Sequence, residues 1–114
     1  MEIREREVDG VKVLDLKGKI TSGESEAKLK QRIADLMEDG HRRIVINLGG
    51  VPYMDSSGLG EIVRCFTSAQ RAGGQIKLTS LSRRLVDLLN ITKLSTIFET
   101  YESDKDAVRS FLEK

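Results

Sequence analysis

The sequence predicts an α/β domain: one mixed, mostly parallel β-sheet with amphipathic helices packed against it. Three observations carry that expectation. Asp9-Gly10 separates two runs of alternating character, the strongest short-range hairpin signal a sequence offers. Arg43 to Leu48 (RIVINL) is a short apolar run rich in β-branched residues, the pattern of a strand buried on both faces. A helical apolar pattern then leads to a second β-rich run, Ile76 to Thr79. Strand, helix and strand in that order make a parallel crossover, which is right-handed in nearly all known cases.

Taken in order, Ile3 to Val8 and Val11 to Lys17 are predicted to pair as antiparallel strands. Thr21-Ser22-Gly23-Glu24 has the spacing of a capping box, and Ala27, Leu29, Ile33, Leu36 and Met37 form a helical stripe that stops at Gly40. The RIVINL strand, bounded by Gly49-Gly50, belongs at the centre of the sheet. Leu59, Ile62, Val63, Phe66 and Ala69/Gln70 repeat at helical spacing until Gly73-Gly74. Beyond the next strand, Ser82 to Leu89 reads as a short helix and Ile97 to Thr100 as an edge strand. Ser103-Asp104-Lys105-Asp106 caps a last helix with Ala107, Val108 and Phe111 facing inward. The predicted order is β-β-α-β-α-β-α-β-α.

The 114 residues are the size of one ordinary domain, so a single domain over residues 1–114 is expected. A single cysteine, Cys65, cannot form an internal bridge, and no positively charged leader opens the chain, so the expected setting is a reducing cytoplasm. No apolar run approaches the roughly 20 residues of a membrane span. A net charge of +1, with both signs mixed along the chain, offers no basic face for nucleic acid. One histidine, one cysteine and scattered carboxylates supply no metal-ligand cluster, and no cofactor is expected. Cys65, beside Phe66 and without a basic neighbour in sequence, reads as a small packed side chain. Arg42-Arg43 and Arg83-Arg84 read as solvated charges at element ends.

One segment stands apart: Val51 to Gly60, VPYMDSSGLG, between the end of the central strand and the start of a helix, where α/β sheets place functional groups. Three readings compete for its serines. The first is capping, since Asp55, Ser56 and Ser57 are all good N-cap residues; one cap is enough, which leaves the second serine unexplained. The second is a nucleophile, but no Gly-x-Ser-x-Gly elbow is present. The sole histidine, His41, precedes the strand whose far end carries the serine, roughly 20 Å away at about 3.3 Å per residue, against the roughly 3 Å a general base needs. The third is a covalently attached phosphate, which the free N–H groups and dipole of a helix start favour, although no nucleotide-binding glycine motif occurs. Gly58 and Gly60 either leave backbone open to an approaching enzyme or merely permit the tight turn. Of Tyr53 and Met54, one packs in the core and one offers apolar area to a partner.

The motif Asp55-Ser56-Ser57-Gly58-Leu59-Gly60, preceded by a β-rich run and followed by an apolar helix and GGQIKLTSLS, resembles the anti-sigma factor antagonist family, the STAS domain. The likeness covers essentially the whole chain. It implies a non-enzymatic regulator that binds a serine kinase acting as an anti-sigma factor and so releases a sigma factor. It further implies that the kinase phosphorylates Ser57, that the modified protein lets go, and that a metal-dependent serine phosphatase resets it. The implied partner-facing residues are Met54, Asp55, Ser56, Ser57, Gly58, Leu59 and Gly60, joined by a second loop containing Thr21, Ser22, Gly23 and Glu24. That second loop departs from the acid and asparagine often found there in the family. The alternative is a STAS scaffold or accessory subunit of a larger stress-sensing or lipid-transport complex.

Overall fold

The computed structural model describes residues 1–20 and 24–113. The chain opens with a hairpin of β1 (Glu2–Val8) and β2 (Val11–Lys17), whose turn places both Asp9 and Gly10 at positive φ. Helix α1 (Glu24–Glu38) follows, then β3 (Arg43–Gly50), α2 (Ser56–Arg71) and β4 (Gln75–Thr79). The last part holds α3 (Arg83–Ile91), a 3₁₀ turn (Leu94–Thr96), the short strand β5 (Thr100–Tyr101) and α4 (Asp104–Leu112). The five strands lie in sequence order, β1-β2-β3-β4-β5, with only the β1/β2 pair antiparallel. The predicted mixed sheet and element order are both present, and β3 is the central strand.

The two-residue period of the strands divides the core. Leu14, Leu16, Ile44, Ile46, Leu48, Ile76 and Leu78 point to one face, where they meet Leu29, Ile33, Leu36, Ile62, Cys65, Ala69, Leu85 and Leu89 from α1, α2 and α3. Val11, Val13 and Val45 point to the other, where Ala107 and Val108 of α4 close a smaller core. Ser82 caps α3 by accepting from the Leu85 N–H, and Ser103 caps α4 by accepting from the Asp106 N–H. No helix among the described residues is long and apolar enough to cross a membrane.

Two boundaries differ from the sequence reading. Gly49-Gly50 does not end β3 but continues it, because Gly50 pairs with Lys17 of β2 and its carbonyl accepts from the Gly18 N–H at 2.9 Å. A Cβ on Gly50 would meet the Leu16 carbonyl oxygen at 2.7 Å, so glycine is needed there for close approach. The edge strand begins at Thr100 rather than Ile97: Phe98 is buried edge-on against Phe66, ring centroids 5.1 Å apart, and the chain turns to seat it before pairing with β4. The capping-box residues Thr21, Ser22 and Gly23 lie outside the described residues, and Glu24 opens α1.

Candidate functional site

The site forms where β2 and β3 end on the α1/α2 side of the sheet. Leaving β3, the chain reaches Asp55, which is extended (φ −92°, ψ −179°) and caps α2: its side chain accepts from the Gly58 N–H at 2.7 Å, and its carbonyl accepts from the Leu59 N–H at 2.9 Å. Capping is thereby complete with Asp55. Ser56 and Ser57 occupy the first turn, both exposed, and neither hydroxyl makes a hydrogen bond among the described residues.

The loop after β2 is stitched along this segment. The Ile20 N–H donates to the Tyr53 carbonyl at 3.1 Å, the Asp55 N–H to the Ile20 carbonyl at 3.4 Å, and Ile20 and Met54 form an isolated parallel bridge. Gly58 makes the junction possible. A Cβ there would fall on the carbonyl oxygen of Ile20, with the carbonyl carbon at 2.7 Å and Cγ2 at 2.9 Å. Neither sequence reading of Gly58, open backbone for an enzyme or freedom for a tight turn, names this role: glycine is required by the close approach of the Ile20 backbone. At Gly60 the corresponding space is open except for the Arg64 guanidinium, 3.7 Å to Nη1 and 3.9 Å to Nη2.

Burial sorts the residues expected to face a partner. Ser56 and Ser57 are exposed, and Asp55 and Gly60 half-buried. Met54 is a correction: it is 7% exposed and belongs to the core, whereas Tyr53, at 42%, is the member of the pair that offers surface. Gly58 and Leu59 are buried as well, so they shape the site from beneath rather than touch what docks on it. His41 stands at the amino end of β3 and Ser57 beyond its carboxyl end, so the histidine is remote from both serine hydroxyls.

Two features escaped the sequence reading. The first is Glu61, an inward-facing carboxylate of α2 that is 1% exposed and accepts from Arg64 Nε at 3.1 Å, with Cys65 Sγ 3.7 Å away. Burial, with the Glu61 carboxylate adding to it, pushes the Cys65 thiol up to about 12, which leaves it protonated and inert. Its Glu-x-x-Arg spacing was the available signal for the ion pair. The second is a polar cluster on the α4 side. Asp104 accepts from Thr79 Oγ1 at 2.6 Å, from Asn47 Nδ2 at 3.0 Å and from Arg6 at 2.6 Å, while Arg6 also holds Asp15. Burial raises the Asp104 pKa, but the hydrogen bonds from Thr79, Asn47 and Arg6 outweigh it and hold the carboxyl below its ordinary value. This cluster is satisfied internally and ties α4 to the sheet.

A hairpin-led, mostly parallel sheet with three helices on one face, one on the other and a serine pair on the first turn after the central strand defines a class that comparison recovers. The STAS domain model matches residues 2–107. The chain belongs to the STAS family, among the anti-sigma factor antagonists. The anti-sigma-B factor antagonist of Bacillus subtilis is 37% identical over 81 residues, 71% of this chain and 73% of that one. An antagonist-family crystal structure from Thermotoga maritima superposes with a TM-score of 0.88 at 25% identity, covering 97% of this chain and 95% of its own. Unphosphorylated SpoIIAA, the Bacillus anti-sigma factor antagonist, shares the fold at 16% identity with a TM-score of 0.71, 97% of each chain being covered.

Proposed function

We propose that this chain is a cytoplasmic, non-enzymatic antagonist that occupies a serine kinase acting as an anti-sigma factor, and that phosphorylation of Ser57 ends the interaction. The observation that carries the reading is the division of labour at the start of α2. Asp55 caps the helix, so the exposed Ser57 hydroxyl is committed to no partner among the described residues. Tyr53, four residues before it, is exposed as well, and its carbonyl ties the segment to Ile20. The B. subtilis relative carries the name of an antagonist of an anti-sigma factor, and SpoIIAA, of the same fold, exists in a phosphorylated form.

The switch follows from electrostatics. A phosphate adds about −1.5 to −2 charges at neutral pH, two residues from the Asp55 carboxylate. In the free protein, solvent and the positive end of the α2 dipole accommodate it, so the fold is retained. A docked partner would have to bury it, and an uncompensated buried charge costs several kcal/mol. About 3 kcal/mol already weakens binding about a hundredfold. No conformational change is required. A serine phosphatase acting on phospho-Ser57 would restore binding.

Affinity capture from native lysate with Ser57→Ala and Ser57→Asp baits, followed by mass spectrometry, tests the reading. An ATP-binding kinase held by the alanine bait and lost by the aspartate bait is expected. Equal retention of the same partners by both baits would sink the switch and favour a scaffold role.

A further inference from the structure

We propose that residues 100–112, β5 with α4, form a detachable strap that opens while the rest of the domain stays folded and so uncovers the second face of the sheet. The inference is independent of the serine reading and concerns the face opposite α1, α2 and α3.

The core beneath the strap is small. Among the described residues it comprises five buried apolar side chains, Val11, Val13, Val45, Ala107 and Val108, against 21 on the face that carries the other three helices. Phe98, buried edge-on against Phe66, belongs to the larger core, so the firmly packed chain ends just before the strap begins. Strand β5 adds only two residues to the sheet, and a nine-residue helix deprived of its packing face does not persist in water. Once undocked, α4 melts, which makes the opening a local unfolding step.

What holds the strap is largely polar, and its two ends are reciprocal. At the amino end of α4 the strap brings the charge: Asp104 accepts from Thr79, Asn47 and Arg6 of the sheet. At the carboxyl end the sheet brings it. The Lys77 side chain, 5% exposed, donates to Ser110 Oγ at 2.7 Å and lies 4.2 Å from the Phe111 ring centroid, with Glu99 3.7 Å away. Buried charges lose on desolvation much of what they regain on pairing, so they fix where α4 sits more than they add to its hold. Both charges recover water when the strap opens, and the apolar area given up is that of a few small side chains. Val13 is the register partner of Val45, so the opening lays bare a continuous apolar patch across β2 and β3.

Native-state hydrogen exchange of the full chain in rising sub-denaturing urea tests the proposal, with Ile33→Val and Asp104→Asn beside the parent. Amides of α4 should exchange at least about tenfold faster than those of Ile44 and Ile46 in the central strand, and with a weaker urea dependence, because less surface is exposed. Ile33 packs in the larger core, which survives the opening. Ile33→Val should therefore speed the Ile44 and Ile46 amides about fivefold and leave α4 unchanged. The Asp104 bonds are lost in local and global opening alike, so Asp104→Asn should speed both sets about tenfold. Exchange of α4 at the rate and urea dependence of Ile44 and Ile46 would overturn the proposal. So would equal acceleration of both sets by Ile33→Val, or α4 rates unmoved by Asp104→Asn.

Discussion

Replacing Gly58 with alanine drives a methyl carbon onto the carbonyl of Ile20, with the carbonyl carbon at 2.7 Å and Cγ2 at 2.9 Å, while the same change at Gly60 meets nothing nearer than Arg64 Nη1 at 3.7 Å. The two glycines lie one residue apart on either side of Leu59, so the pair isolates tertiary contact from helix propensity. Overpacking costs about 1–3 kcal/mol. At Gly58 the obstacle is backbone held by the Ile20 hydrogen bonds to Tyr53 and Asp55, which no rotamer change relieves, so the upper figure applies. Setting about 3 kcal/mol of overpacking against about 1 kcal/mol gained from alanine in a helix leaves a loss of about 2 kcal/mol. With an unfolding entropy of about 2.1 cal/mol/K per residue, that lowers the melting temperature by about 8 °C. Gly60→Ala should do the reverse, gaining about 0.5–1 kcal/mol and about 2–4 °C. Urea unfolding and thermal melts of both variants give the signs directly. Shifts in the same direction, or a Gly58→Ala protein as stable as the parent, would refute the claim that α2 and the Ile20 loop meet backbone to backbone.

Asp104→Asn should cost about 1–2 kcal/mol near neutral pH, because an amide replaces the charge that Arg6, Thr79 and Asn47 all donate to. The folded carboxyl is held below its ordinary value of 3.8, so its contribution is complete above that value and lost as pH falls through the lower folded value. The parent should therefore lose stability on acidification below about pH 4, and Asp104→Asn should lack that component; parallel acid slopes in urea titrations would count against the cluster. Cys65, 3% exposed with its thiol pushed up to about 12, should resist iodoacetamide in native buffer and label fully in denaturant. Rapid native alkylation by mass spectrometry would contradict its packing.

The fold was legible because its elements announce themselves locally: Asp9-Gly10 takes the positive φ values a tight hairpin requires, and RIVINL alternates its apolar side chains onto two faces, each of which has a helix to meet it. What was not legible depended on residues distant in sequence. Gly50 reads as a stop until the Leu16 carbonyl is brought against it, and Ile97 to Thr100 reads as a strand until Phe98 must reach Phe66. The Asp104 cluster joins partners 57 and 98 residues apart, for which no spacing rule exists. The serine segment lies between these cases. Its position and composition marked it, yet the roles within it separate only in three dimensions: Met54, Gly58 and Leu59 face inward, Asp55 is committed to the cap, and Ser57 and Gly60 remain on the outside. Interleaving structural and presented residues within seven positions, Met54 to Gly60, has a physical consequence. Ser57 is attached to backbone that the Asp55 cap and the Ile20 loop already hold, so a charge added there, as proposed, would be met at the surface rather than hidden by a local rearrangement.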